Sequence, residues 1–139
     1  MFGGKSSKPQ TRIDSLIGDG TAIEGNVVFS GGLRIDGRVK GNVLAADDQP
    51  TTLVLSERAR VEGEIRVSHA VINGTVNGPV HAGEYVELQA KCNVNGDVHY
   101  KTLEIQLGAV VQGRLVHREE AQSPRMLGLK PTPVEAGGN

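Results

Sequence analysis

Aromatic residues are nearly absent from this chain of 139 residues, which has no tryptophan, two phenylalanines and two tyrosines. A core must therefore be built from valine, isoleucine, leucine and alanine, while 19 glycines shape the backbone around it. Such a core indicates a narrow interior of repeated layers, since a sandwich or a dinucleotide-binding domain would usually contain larger aromatic anchors. The length is that of one domain.

Cysteine and long apolar runs are also scarce. Cys92 is the single cysteine, so no intramolecular disulfide forms, which fits a reducing compartment. No apolar run approaches the length of a membrane span, and no charged start followed by an apolar segment marks a signal peptide. We therefore expect a cytoplasmic protein.

The body of the chain has no excess of positive charge. Residues 1–12 carry +3, and residues 118–139 balance three basic with three acidic groups. The net charge of −1 therefore leaves −4 for residues 13–117. Because phosphate binding needs a basic stripe, we expect no nucleic-acid partner.

The sequence is rich in a short repeat, Gly-x-(Val/Ile/Leu), which occurs at least eight times. The stretch LRIDGRVKGNV at 33–43 alternates apolar or glycine with polar residues, and it returns as VINGTVNGPV at 71–80, offset by 37 residues. A second unit recurs as LSERARVEGEI at 55–65, LQAKCNVNGDV at 88–98 and IQLGAVVQGRL at 105–115. The last two copies are 17 residues apart, and such a period indicates a repeat architecture.

This period is typical of a parallel β-helix. It is too short for helix pairs or propeller blades, and alternation with period two excludes α-helices. Each turn would contain three short strands with glycine at the corners, so that 33–43 reads as two strands joined at a glycine. We predict an all-β fold: a triangular, single-stranded parallel β-helix of about six turns over 14–117, about 30 Å long. Disordered tails at 1–13 and 118–139 would flank it, and the pattern leaves the hand of the coil open.

Parity predicts which side chains fill the core. The segment LAADDQPTT at 44–52 breaks the alternation and predicts a loop, with the β-helix resuming at Leu53. The inward positions of the last two repeats are Leu88, Ala90, Cys92, Val94, Gly96, Val98, Leu103, Ile105, Leu107, Ala109, Val111, Gly113 and Leu115.

Residues capable of chemistry are few. His81, His99 and His117 are spaced by 18 and could form a metal-binding ladder, but alignment of the repeats puts His117 out of register, and no carboxylate or second thiol joins them. Cys92 has inward parity and is expected to be a buried small hydrophobe. No hydrolase or phosphate-loop motif is present. We therefore predict no catalytic residue, metal or cofactor, and a protein that is not an enzyme.

The two ends of the predicted β-helix need cover, because terminal turns have unpaired backbone groups above an apolar core. No amphipathic helix is visible to cap them, so the simplest cover is a second copy, stacked end to end without nucleotide. The candidate polymer-interface residues are Leu16, Ile17, Ile23 and Phe29 at one end and Val111, Leu115 and Val116 at the other.

The N-terminal segment MFGGKSSKPQ combines one aromatic residue with basic ones. Phe2 could insert at the headgroup boundary of a membrane while Lys5 and Lys8 meet anionic lipid, each lysine contributing about 1 kcal/mol. One such tail would bind transiently, whereas many tails on one polymer would bind firmly. The alternative is a flexible solubilising tail.

The Gly-x-Val array over about 14–117, with short tails and the opening Met-Phe-x-x-Lys, resembles the bactofilins, a family of bacterial cytoskeletal proteins. The resemblance implies a right-handed β-helix that polymerises end to end without nucleotide on the inner face of the cytoplasmic membrane. It also implies a scaffold that localises cell-wall or morphogenesis proteins, with Phe2, Lys5 and Lys8 in the membrane-targeting role. The Gly3-Gly4 spacer departs from the family pattern by moving the first lysine away from Phe2.

Two other classes of protein are alternatives, and the first of them fits the pattern less well. Left-handed β-helical acyltransferases also use hexads with aliphatic residues inside, and 23–28 and 35–40 fit a hexad loosely. Those enzymes need a general-base histidine in a subunit cleft, with loops or helices that shape an acyl-carrier site. Here the predicted β-helix turns occupy almost the whole ordered chain, which leaves few residues for such a site. A soluble monomeric adaptor that binds partners through its acidic body is the third hypothesis.

Overall fold

The computed structural model describes residues 12–46 and 50–119, and within these ranges it contains sixteen β-strands and no helix. The strands wind into a solenoid of six turns with three strand segments per turn, which confirms the all-β, parallel β-solenoid prediction. Successive turns span 15–29, 32–45, 52–67, 69–82, 85–100 and 102–117. The hand of the coil stays a prediction.

Each turn contributes one segment to each of three faces. Face 1 contains β1 (Ser15–Ile17), β4 (Gly32–Ile35), β7 (Thr52–Leu55), the second halves of β9 (Ile65–Ile72) and β11 (Val80–Leu88), and β14 (Thr102–Ile105). Face 2 contains β2 (Ala22–Glu24), β5 (Arg38–Lys40), β8 (Arg60–Glu62), β10 (Thr75–Asn77), β12 (Asn93–Asn95) and β15 (Val110–Val111). Face 3 contains β3 (Val27–Phe29), β6 (Val43–Ala45), the first halves of β9 and β11, β13 (Val98–Tyr100) and β16 (Leu115–His117).

All the strand pairs are parallel, and each joins equivalent residues of adjacent turns. On face 1 one such column contains Ile17, Ile35, Leu55, Ile72, Leu88 and Ile105. Ile35 and Ile72 are two turns apart in this column, which explains the offset of 37 between the two copies of the opening stretch.

The core is a stack of aliphatic layers. Face 2 supplies a column in which the four middle members are fully buried valines: Val39, Val61, Val76 and Val94. Burying one such side chain stabilises the fold by about 1.5–3 kcal/mol. Cys92 is 2% exposed and is a core residue, as parity predicts.

A column of glycines turns the corner between faces 2 and 3. Its members are Gly25, Gly41, Gly63, Gly78, Gly96 and Gly113. From the second member onward, a Cβ would lie well under 3.0 Å from the carbonyl oxygen of the glycine one turn earlier, a separation that real Cβ atoms essentially never show. The Gly-x-Val repeat therefore exists because backbones of adjacent turns touch at this corner.

Polar side chains beside the glycine column satisfy the backbone where the strands are interrupted. Asn26 Oδ1 accepts the Asn42 N–H at 2.9 Å, Asn42 Oδ1 accepts the Glu64 N–H at 2.9 Å, and Asp97 Oδ1 accepts the Arg114 N–H at 2.9 Å. These bonds replace ladder hydrogen bonds, because each backbone N–H at a strand interruption still needs an acceptor.

The corners between faces 1 and 2 have two lengths, and this overturns two core predictions. The corner has two residues in turns 2 and 4, and four in turns 1, 3, 5 and 6. Leu107 was predicted to point inward, but it lies in the four-residue corner between β14 and β15 and is 96% exposed. Ala90, also predicted to point inward, lies in the equivalent corner of turn 5 and is exposed for the same reason. Parity therefore fails at the second residue of a four-residue corner, although the last residue, such as Cys92, still points inward.

Two further predictions about the opening region need correction. The pattern predicts two strands over residues 33–43, but these residues contain most of β4, all of β5 and the start of β6, since the chain turns at both Gly37 and Gly41. The predicted loop at 44–52 is shorter, because Val43–Ala45 and Thr52–Leu55 are strands. Residues 47–49 lie outside the described part of the chain.

Candidate assembly surfaces at the two ends

The terminal turns have paired strands on one side only. In the described ranges, β1, β2 and β3 pair only with β4, β5 and β6 of the second turn. Likewise β14, β15 and β16 pair only with strands of the fifth turn. Each end therefore presents a triangle of free strand edges around the apolar column, a ready template for another chain.

The N-terminal end, formed by the first turn, is largely closed by its own side chains. Ile17 and Phe29 were predicted to lie at this end, and they point inward with 9% and 8% of their surface exposed. Ile23, the third inward candidate, is half-buried, as is Val27. This end is therefore an apolar layer with limited exposed area.

The C-terminal end, formed by the sixth turn, exposes more apolar surface. Leu115 lies on the inward column of face 3, in register with buried Val98, yet it is 43% exposed because no seventh turn covers it in the described residues. Val111 is half-buried above Val94 for the same reason. Ile105 is 48% exposed and Leu107 is 96% exposed at this end, and neither was among the predicted interface residues.

The outer rim of both terminal turns is also apolar. Leu16 is in register with Arg34 and Val116 with His99, so both candidates point outward and lie outside the core column. Leu16 is 60% exposed, and Val28, an outward residue of β3, is 63% exposed. Val110 adds a 45% exposed side chain at the other end. Searching for apolar residues of outward parity in the end turns would have found Val28 and Val110.

The histidines of face 3 do not form a metal ladder. His81 and His99 are in register, and their rings stack with centroids 4.4 Å apart and 11° between their planes. His117 is in register with Tyr100 instead, its ring centroid 5.5 Å from that of the tyrosine, which confirms that it is out of register. Within 12–46 and 50–119, no group of three or more His, Cys, Asp and Glu residues could hold a metal ion.

The buried thiol lies in an environment that opposes ionisation. Cys92 is enclosed in a four-residue corner, and burial raises the pKa of its thiol. A hydrogen bond with the Val110 backbone lowers this pKa, but burial is the larger effect. A thiol with a raised pKa is a poor nucleophile near neutral pH. Its surroundings therefore fit a packing role.

The solenoid with its two open ends is matched by a known protein family. A family model described as "Bactofilin: Polymer-forming cytoskeletal" matches residues 15–116, which are nearly the whole solenoid. The chain belongs to the bactofilin family. The match begins and ends with the first and last turns of the solenoid.

Two curated relatives from Myxococcus xanthus are bactofilins. The chain is 29% identical to bactofilin BacO over 102 residues, which cover 73% of this chain and 78% of BacO. It is 27% identical to bactofilin BacP over 116 residues, which cover 83% of this chain and 47% of BacP. The chain thus spans about half the length of BacP. No solved structure matches.

The predicted membrane-targeting residues lie outside the described part of the chain. Phe2, Lys5 and Lys8 belong to residues 1–11, and most of the predicted C-terminal tail belongs to residues 120–139. Within the described residues, no helix reaches the length and hydrophobicity needed to cross a membrane.

Proposed function

We propose that this bactofilin is a cytoskeletal scaffold whose subunits stack end to end into filaments without nucleotide. The observation that carries the proposal is the pair of open ends, each with free strand edges around an apolar layer. An aliphatic column six turns long has no cap in the described residues, and a second copy offers both an apolar layer and partners for the edges.

The energetics favour the C-terminal end as a strong contact. Leu115, Ile105 and Val110 each keep between 43% and 48% of their surface exposed. Covering that remainder contributes about 1 kcal/mol for each side chain, and Leu107 contributes more because it is almost fully exposed. Hydrogen bonds between facing edges would then set the register of the contact.

A charge placed in this contact tests the proposal. Leu115→Arg puts a guanidinium into the apolar layer at the end of the solenoid, where burial of an unpaired charge costs several kcal/mol. We expect sedimentation of the full-length protein to show loss of polymer. The matched control is Val71→Arg, since Val71 is a half-buried outward valine of β9 beside Glu87 in the middle of the wall. Leu115→Arg that sediments like the control would contradict the proposed contact.

We further propose that the filament lies on the inner face of the cytoplasmic membrane, through Phe2, Lys5 and Lys8. The support is the sequence of the N-terminal segment, which carries +3 over residues 1–12 next to a single aromatic residue. Each tail is a weak ligand, but a polymer presents many tails on one object, so binding of one raises the effective concentration of the rest.

Vesicle co-sedimentation tests this membrane proposal. Phe2→Ala should release the polymer from vesicles of phosphatidylcholine with an anionic lipid at moderate salt, because the apolar insertion is lost. Phe2→Leu, which keeps an apolar side chain, is the control and should stay bound. Equal binding of wild type, Phe2→Ala and Phe2→Leu would refute the role of Phe2. If the double variant Lys5→Gln with Lys8→Gln is the only one released, the membrane-targeting role belongs to the lysines.

The scaffold would localise cell-wall or morphogenesis proteins through the outer wall. End-to-end stacking leaves the outward residues of turns 2–5 accessible, so each client site recurs once per subunit, roughly every 30 Å. Co-sedimentation of such a protein with wild-type polymer, but not with unpolymerised Leu115→Arg, is the expected result. Binding that ignores polymerisation would favour the monomeric adaptor.

A further inference from the structure

The stacked histidines on face 3 make a contact with the last residues of the solenoid. Arg118 follows β16 directly, and its Nε and Nη2 atoms lie 3.2 and 3.1 Å from His99 Nδ1. A guanidinium can only donate hydrogen bonds, so His99 Nδ1 accepts. The geometry therefore requires a neutral His99 ring whose proton is on Nε2.

The other charged groups around the stack make a second proton unfavourable. Arg66 is in register with His81, and Glu64 Oε2 is 3.3 Å from His81 Nε2 but also pairs with Arg66. On the His99 side, Asp97 is engaged by Arg114, with 2.8 Å between Oδ2 and Nη2. The stack is therefore surrounded by three guanidinium groups, those of Arg66, Arg114 and Arg118, and by only two carboxylates.

Burial and these arginines act in the same direction on both rings. Burial first, and then Arg66 and the neighbouring His99, lower the pKa of His81, while Glu64 opposes them in part. Burial first, and then Arg118, lower the pKa of His99, while Asp97 opposes them. The neutral stack is thus the form that suits the folded chain.

We propose that His81, His99 and Arg118 form a pH-sensitive contact that holds β16, and with it the C-terminal end face, in the geometry needed for assembly. The proposal deepens the assembly function proposed above and rests on it. Protonation at His99 Nδ1 removes the acceptor for Arg118, and two cationic rings 4.4 Å apart repel. Because β16 pairs only with β13 among the described strands, its opening breaks a single strand pairing and leaves the turns below it intact.

The direction of the pH dependence follows from the sign of the shifts. Histidine in an unfolded chain titrates near pH 6.5. Opening of β16 takes Arg118 away from His99 and uncovers that ring, so the pKa of His99 rises back toward this value, and the opened form binds more protons than the closed one as pH falls below about 6.5. The contact is therefore intact at pH 7.5 and weakens toward pH 5.5, above the range in which carboxylates protonate.

Amide hydrogen exchange of the full-length protein tests the contact without reference to polymer. We expect the protection factors of residues 115–117, corrected for intrinsic exchange, to fall about tenfold in wild type between pH 7.5 and pH 5.5. The double variant His81→Gln with His99→Gln, which keeps polar side chains that do not titrate, should lose much less protection. His117→Gln removes the one histidine within residues 102–117, which is outside the His81–His99 stack, and should respond to acid like wild type.

Sedimentation of the same proteins tests the link to assembly. Wild-type polymer should decrease at pH 5.5, and polymer of the double variant should persist. Equal exchange of residues 115–117 in wild type and the double variant at both pH values would overturn the proposal. Failure of the wild-type protein to polymerise at pH 7.5 would instead contradict the assembly function. The exchange data would still decide whether the contact is pH-sensitive. If the double variant fails to fold, Arg118→Gln decides, because it should lower β16 protection at pH 7.5.

Discussion

Substitution of one glycine in the corner column should destabilise the whole solenoid. A Cβ at Gly78 would collide with the carbonyl oxygen of Gly63, which belongs to the turn below. Neither atom can move alone, because both are backbone atoms of paired turns. Gly78→Ala therefore forces turns 3 and 4 apart at this corner.

The expected cost combines overpacking with weakened hydrogen bonds. Overpacking of a dense interior costs about 1–3 kcal/mol. Two backbone bonds that join these turns at the corner, from Gly63 N–H to Asn77 O and from Ile65 N–H to Pro79 O, would lengthen from 3.1 and 3.0 Å. Each contributes about 1 kcal/mol. A loss of about 3 kcal/mol or more would lower the Tm by roughly 12 °C in a solenoid of about 100 residues.

Circular dichroism melting at one protein concentration measures this effect, and Gly83→Ala is the control. Gly83 lies in β11, a hypothetical Cβ there meets nothing within 4 Å, and its φ is not positive. We expect Gly83→Ala to change stability by less than about 1 kcal/mol. Both variants must be compared with wild type at equal concentration, since self-association shifts the Tm. Equal Tm values for the two variants would refute the account of the glycine column.

Two further predictions concern Asn42, beside the glycine column, and Cys92, in the core. Asn42→Ala removes the acceptor for the Glu64 N–H and should lower the free energy of unfolding, measured in urea, by about 1 kcal/mol. Asn42→Asp keeps the acceptor and should lower it less. Equal losses for the two variants would show that this bond contributes nothing. The raised pKa of Cys92 and its 2% exposure predict slow alkylation by iodoacetamide at pH 8 in the folded protein and fast alkylation in denaturant. Fast alkylation of the folded protein would contradict the burial of Cys92.

The period and parity of the sequence predict the middle of this fold well. In turns 2–5 the repeat places one apolar residue in register above the next, and Leu88, Val94 and Val98 are fully buried as predicted. The reason is physical: glycine is required wherever backbones of adjacent turns touch, and aliphatic residues are required wherever side chains face a narrow interior. Both requirements leave a visible period.

The ends and corners were harder to predict, because period and parity say little about them. Parity cannot distinguish a four-residue corner from a strand, so Leu107 was assigned to the core although it is 96% exposed. Leu16 and Val116 are apolar and lie near the ends, but their registers with Arg34 and His99 place them on the outer rim. The contact between Arg118 and His99 joins residues 19 apart through the register of turns 5 and 6, and no local motif signals it.

Electron microscopy of the purified full-length protein, without nucleotide or metal, tests the central claim most directly. We predict filaments one solenoid wide with a subunit repeat of roughly 30 Å, given six turns at about 4.8 Å each. Leu115→Arg should give short particles under the same conditions, while Val71→Arg should give filaments. Uniform small particles of the wild-type protein, trimers above all, would contradict end-to-end assembly.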